Sequence, residues 1–249
     1  MPITTPWPRF DRLIRGALAG ALLLATLTAH AGVTDSFSAD FKVKRSGLSL
    51  GTTTFSLKPG DEPGCYVYTG RANPNAIVRV FIGDVTDKSI FCVGDDDVLR
   101  SQHFRHHIDG DAENSYTLDF DWDAQQVVYK NEAGQQETMP LAERALDPLS
   151  IQIAARHWLA TADNPSELGE TSFPLVDEDE VKSYRLRVSP AGNIETPGGR
   201  FDTLLVERVD DDQHLRFWLA RNADWIPVRV EHQKGNDGIF RMNLTTLQR

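Results

Sequence analysis

The chain has 249 residues, 40% of them apolar, with five tryptophans and a formal net charge of −10. Such acidity, with no basic stripe anywhere, argues against nucleic acid as a partner and against attachment to an anionic membrane by charge alone. The apolar content is enough for a real core, so this is not a disordered solvating chain.

Residues 1–31 read as a secretory signal. Arg9, Arg12 and Arg15 form a cationic front, residues 16–27 an uncharged, largely apolar core, and Ala29-His30-Ala31 a small-x-small cleavage site before Gly32. The apolar run is too short for the roughly 20 residues that span a bilayer, and no cysteine stands at the cleavage site to carry an acyl anchor. Cleavage and a periplasmic destination are expected, leaving residues 32–249 as a single β-rich exported domain.

Downstream, period-two alternation dominates. Residues 38–44 and 54–58 alternate cleanly, and strand-like runs follow at 65–69, 89–93, 99–107, 115–121 and 126–130. After an interruption come 183–188, 203–209, 214–220, 227–232 and 239–247. Turn formers separate them: Lys58-Pro59-Gly60-Asp61, Gly94-Asp95-Asp96-Asp97, Asp109-Gly110-Asp111, Pro197-Gly198-Gly199 and Asn236-Asp237-Gly238. Many short strands, without the helices that parallel crossovers need, predict an antiparallel meander.

The interruption contains a predicted helix. Asp147 suits its N-cap and Pro148 its first position, and the helix should run to about Ala160 before Asn164-Pro165 stops it. Ile151, Ala154, Ala155, Trp158 and Leu159 recur at helical spacing, so this face should bury against the sheet. The expected fold is mainly β: a strongly curved antiparallel sheet or half-barrel with one principal helix packed on its concave face. What that helix covers is either plain core or a cleft for an apolar ligand.

Cys65 and Cys92 are the two cysteines. In an oxidising compartment such a pair usually forms a disulfide, the alternative being two separate buried thiols. A bridge should tie the two flanking strands and fix against the sheet the excursion between them, with its Asn73-Pro74-Asn75 and apolar run 77–82. No Cys-x-x-Cys pair is present to suggest redox catalysis.

Several motifs invite a chemical reading. Gly47-Leu48-Ser49-Leu50-Gly51 matches the pattern of a hydrolase nucleophile elbow, which needs a helix after the serine. Thr52-Thr53-Thr54-Phe55 follows instead, so a hairpin between strands fits better than a nucleophilic Ser49. His103, His106 and His107, with Asp109 and Asp111, form the densest ligand-capable cluster. On a strand, His103 and His107 share one face and His106 takes the other, so zinc would need a recruit such as Asp87 or His232. Asp119, Asp121 and Asp123 begin like a calcium loop, but Ala124 and Lys130 stand where glycine and a bidentate glutamate belong. Residues 95–97 and 210–212 read as charged hairpin tips. Carboxylates at turns, without an apolar wall, give no support to a glycosidase. No cofactor and no metal are assigned.

The early glycine-bounded turn and Leu146-Asp147-Pro148-Leu149-Ser150 carry a resemblance, together with Thr196-Pro197-Gly198-Gly199-Arg200-Phe201-Asp202-Thr203. Phe217-Trp218-Leu219-Ala220 followed by Ile226-Pro227-Val228-Arg229-Val230 completes it. The chain resembles a family of bacterial exported proteins known as domain of unknown function 3108, over most of residues 37–247. The resemblance implies a curved antiparallel sheet, broadly similar to periplasmic lipoprotein-carrier domains, and brings no activity or site residues with it.

Three functions are weighed. The first is a periplasmic, non-enzymatic binding or carrier protein for a hydrophobic or amphipathic, lipid-like molecule, with Ile151, Ala155, Trp158, Trp218 and Trp225 as the expected cleft. The second is a structural or interaction module of the envelope, its acidic loops meeting a protein partner and Trp225 exposed beside Ile226-Pro227. The third is a hydrolase resting on Ser49 or on the strand from His103 to His107.

Overall fold

Alternating apolar and polar side chains become pleated strands through most of the chain. The computed structural model describes residues 32–209, 213–235 and 238–249. The signal-like segment, the tip at 210–212 and Asn236-Asp237 of the last turn lie outside the described residues. The first meander comprises β1 (Phe37–Arg45), β2 (Leu48–Pro59), β3 (Cys65–Pro74), β4 (Val85–Val93), β5 (Leu99–Ile108), β6 (Tyr116–Asp121), β7 (Gln126–Asn131) and β8 (Gln136–Pro140). The second comprises β9 (Glu170–Asp177), β10 (Glu180–Thr196), β11 (Gly199–Arg208), β12 (Gln213–Ala220), β13 (Pro227–Lys234) and β14 (Phe240–Gln248). Two helices interrupt them, α1 (Ala76–Ile82) between β3 and β4, and α2 (Ser150–Ala160) between the meanders.

The strands form one antiparallel sheet in the order β8-β7-β6-β5-β4-β3-β2-β1-β14-β13-β12-β11-β10-β9. The first meander therefore runs outward from β1 to one edge, and the second runs inward from the other edge until β14 pairs with β1. That central seam aligns Ser38 with Gln248 and Arg45 with Phe240. The sheet curls without closing, as the expected half-barrel requires. Its concave face holds the core: Phe37, Ala39, Phe41 and Val43 of β1 all point inward and are buried. Each such Phe or Val contributes roughly 1.5–3 kcal/mol by leaving water.

The topology dictates where α2 lies. The segment 141–169 must cross from the β8 edge to the β9 edge, and it does so over the concave face. On the way Leu146 forms a parallel bridge with Leu175, its N–H donating to Pro174 O at 2.9 Å and its carbonyl accepting from Val176 N at 2.8 Å. The β9 edge is thus covered before the helix begins, while the β8 edge is short and ends in Pro140, features that discourage pairing with other chains.

Two local devices sharpen the first meander. Ser46 and Gly47 make the β1–β2 turn, and Gly51 (φ 149°) lies where β2 meets the end of β3. A Cβ on Gly51 would stand 2.3 Å from Asn73 O and 2.7 Å from Pro74 Cα, so only glycine permits this approach. The elbow-like motif is therefore a hairpin and a strand contact. Asn75 then caps α1, its Oδ1 accepting from Ile77 N and Val78 N while its Nδ2 donates to Ser49 O.

Cys65 and Cys92 face each other across the β3–β4 ladder and are bonded, with S–S 2.00 Å. One expectation is corrected. The α1 excursion leaves the sheet beside the Ala72–Val85 pair, at the opposite end of the ladder from the bridge. The disulfide staples the two strands and does not fix the excursion.

Candidate ligand-binding cavity

Strand alternation on β9–β14 and the crossing helix leave a space between them. A cavity of about 540 Å³ is walled on one side by Pro148, Ile151, Gln152 and Ala155 of α2 and the turn before it. Opposite stand inward-facing residues of the second meander, among them Leu186, Val206, Phe217, Leu219 and Val230. Pockets of a few hundred Å³ with apolar walls are of ligand size.

The helix that forms the wall is anchored by a buried carboxylate. Asp147, fully buried, accepts from Leu149 N (2.9 Å) and Ser150 N (2.8 Å) through Oδ1, and from Ser89 Oγ (2.6 Å) and Ser101 Oγ (2.7 Å) through Oδ2. Burial pushes its pKa up, and these donors pull only part of the way back. The expected capping role is present, displaced slightly: regular helix starts at Ser150, and Asp147 additionally pins it to β4 and β5. Toward the other end, Arg156 is buried with its guanidinium 4.9 Å from the Phe37 ring. Its Nε and Nη2 both donate to Asp224 O, while Nη1 has no partner among the described residues. Burial lowers its pKa to about 10, which still leaves it charged at neutral pH.

Antiparallel pairing fixes which residues share each end of the sheet. The β1–β2 and β9–β10 turns, α1 and the start of β14 lie at one end; the β2–β3, β4–β5 and β12–β13 turns lie at the other. Asp87, Asp177, His232 and Phe240 bring the cavity lining to the first end. Asp87 and Asp177 are its carboxylates. His106 Nδ1 bonds Asp87 Oδ1, and Tyr116 Oη donates to Asp177 Oδ1 at 3.2 Å. Burial works to lower the His106 pKa, but the hydrogen bond and charge of Asp87, with Asp177 and Glu178 nearby, raise it overall.

Of the expected cleft residues, Ile151 and Ala155 line the cavity, and the three tryptophans lie elsewhere. Trp158 turns aside and packs edge-on to Phe173, ring centroids 6.3 Å apart. Trp218 sits between Phe217 and Leu219, both of which face inward, so alternation sends it to the outer face, with Arg229 5.8 Å from its ring. Trp225 occupies the turn before β13 with φ 58°, under Arg221 at 5.3 Å. It is half-buried at the end of the sheet away from Asp87 and Asp177.

The other motifs separate into local pairs. His103 bonds Asp119 at 2.6 Å, and His107 bonds Glu132 at 2.9 Å and faces Asp109 at 3.2 Å. Among the described residues no group of three or more His, Cys, Asp or Glu side chains is placed to hold a metal ion. Ser49 is an exposed strand residue of β2 with no helix after it. Asp121 Oδ1 accepts from Ala124 N in the β6–β7 turn, Asp96 pairs with Arg100, and Asp97 pairs with His157.

A deeply curved, β-barrel-like sheet with a helix across its hollow side is thus the class of domain these residues build. The model of the family described as "Protein of unknown function (DUF3108)" matches residues 36–245, and the chain belongs to that family. No curated protein matches it. Among solved structures, a β-barrel-like protein of domain of unknown function DUF1849 from Brucella abortus aligns with a TM-score of 0.52 at 12% identity, over 86% of this chain and 97% of that one. That likeness is one of fold. MucB aligns over 88% of this chain and 54% of its own at 14% identity, with a TM-score of 0.26.

Proposed function

We propose that the protein is a non-enzymatic binding or carrier protein for a hydrophobic or amphipathic molecule, exported to the periplasm after loss of residues 1–31. The observation that carries this reading is the 540 Å³ cavity, with predominantly apolar walls, between α2 and the concave sheet. The Cys65–Cys92 bond supports export, since disulfides persist in oxidising compartments. The surface supports exchange of an apolar cargo. Among the described residues the exposed large apolar side chains are Leu48, Ile77, Val181 and Ile239. All four lie at the end of the sheet that carries Asp87, Asp177 and Phe240 of the cavity lining.

Two measurements test the proposal. Organic extraction of protein purified from its own envelope, followed by mass spectrometry, should recover an apolar or amphipathic molecule. The neutral fluorophore N-phenyl-1-naphthylamine should bind with blue-shifted emission, and Val206→Trp, which fills the cavity from β11, should abolish that binding while leaving a cooperative melt. An empty extract together with fluorophore binding that survives Val206→Trp would remove the cavity as the site.

A further inference from the structure

The anionic groups among the described residues lining the cavity are two, and His232 is its one imidazole. Asp87 and Asp177 contribute carboxylates, and no lysine or arginine is among the described lining residues. Among the described residues each carboxylate has one hydrogen-bonding partner, His106 on Oδ1 of Asp87 and Tyr116 on Oδ1 of Asp177. Oδ2 of Asp177 has Lys182 Nζ at 3.9 Å, a distant contact, because that ammonium is held at 3.0 Å by Glu180. Arg208 lies against the Tyr184 ring at 3.7 Å, and Arg208 is not among the lining residues.

The acidic character extends beyond the two lining residues. Glu178, Asp179 and Glu180 follow Asp177 directly at the β9–β10 turn. Groups on three other strands register their field. Burial first, then Asp177 and Glu178, pushes the Tyr116 hydroxyl up. The Tyr129 hydroxyl rises through burial, Glu178 and Asp179. His106 is raised against its own burial. His106 on Asp87 and Lys182 near Asp177 offset this field in part, while Glu178, Asp179 and Glu180 add to it, so this end of the cavity favours a positive group and disfavours an anionic one.

We propose that the cavity takes a cationic amphipath: an apolar chain or ring body against Ile151, Val206, Phe217 and Leu219, with a protonated amine or quaternary ammonium held between Asp87 and Asp177. This rests on the cavity being a binding site and adds the chemical class of what it binds. The same geometry rejects fatty acids and other anionic amphipaths, whose headgroups would meet the two carboxylates.

Displacement of N-phenyl-1-naphthylamine by three amphipaths of equal chain length tests the assignment, each kept below its micellar concentration. They are dodecyltrimethylammonium, neutral dodecyl maltoside and dodecanoate. The wild-type protein should bind the ammonium at least about tenfold more tightly than dodecanoate, an effect expected of one partly screened opposite charge. In the isosteric variant Asp87→Asn/Asp177→Asn the ratio of ammonium to maltoside affinity should fall by about fivefold or more. Reading a ratio within each protein cancels any general loss of fit, and Asp177→Asn alone is read the same way if the double variant does not fold. Binding of the maltoside with no preference for the ammonium, or a preference that survives both variants, would overturn the assignment and leave the carrier reading standing. Failure of the fluorophore and all three amphipaths to bind would remove both.

Discussion

At the scale of single residues, His106 ties the fold to pH. Its inward position on β5 places it beside Asp87, and its pKa is raised above the ordinary 6.5. The folded state then holds the proton more tightly than the unfolded chain. The stabilisation is fully present below pH 6.5 and is lost as pH rises through the raised value. Melting temperature should therefore fall as pH is taken from 6.5 upward, and Asp87→Asn should flatten that slope. An equal slope in the variant would assign the dependence to another group. Asp147 illustrates a different limit. Its capping role was visible from Asp147-Pro148, a local pattern. Its bonds to Ser89 and Ser101 were not, because nothing in the spacing shows which distant hydroxyls the sheet will deliver.

At the scale of elements, the disulfide acts as a staple between neighbouring strands. Its loss should cost about 2–4 kcal/mol on the chain-entropy account, lowering the melting temperature by roughly 2–4 °C per kcal/mol for a domain of this size. Calorimetry of Cys65→Ser/Cys92→Ser checks the magnitude. Because α1 sits at the far end of the ladder, its amide exchange should be unchanged in that variant; faster exchange confined to α1 would restore the view that the bridge fixes the excursion. Strands with strong alternation, such as β1 and β10, were legible from sequence. β9 was not, because Pro174 breaks the pattern, and an edge strand tolerates the missing N–H. β8 is mostly polar and gives no hydrophobic signal. The apolar run of α1 was visible without its helical form, which depends on the Asn75 cap. For α2 the extent was legible and the buried surface was not: Ile153 and Arg156 are as buried as the predicted face. A helix inside a curved sheet is touched from several sides, whereas a one-face pattern assumes a flat neighbour.

At the scale of the whole molecule, the meander and its curvature followed from strand spacing, and the cavity did not. Its walls come from all six strands of the second half, from Asp87 of β4 and from α2, so no short window of sequence contains it. The seam between β1 and β14 bears a consequence of its own. Every other pairing in the sheet joins strands adjacent in the chain, so each half can form locally, and each then presents at its seam an edge shaped for the other. Nothing in that edge distinguishes the half on the same chain from the half on a second copy, and the crossover 141–169 is a long hinge. Refolding at high concentration should thus yield, besides monomer, a domain-swapped dimer separable by size exclusion. It should bind the fluorophore at both of its sites, since the second meander supplies most of each cavity wall together with an α2 from one chain or the other. Monomer alone at every concentration would show that the hinge holds the halves together. In such a dimer the protein would trade partners along the one line where its own two halves meet.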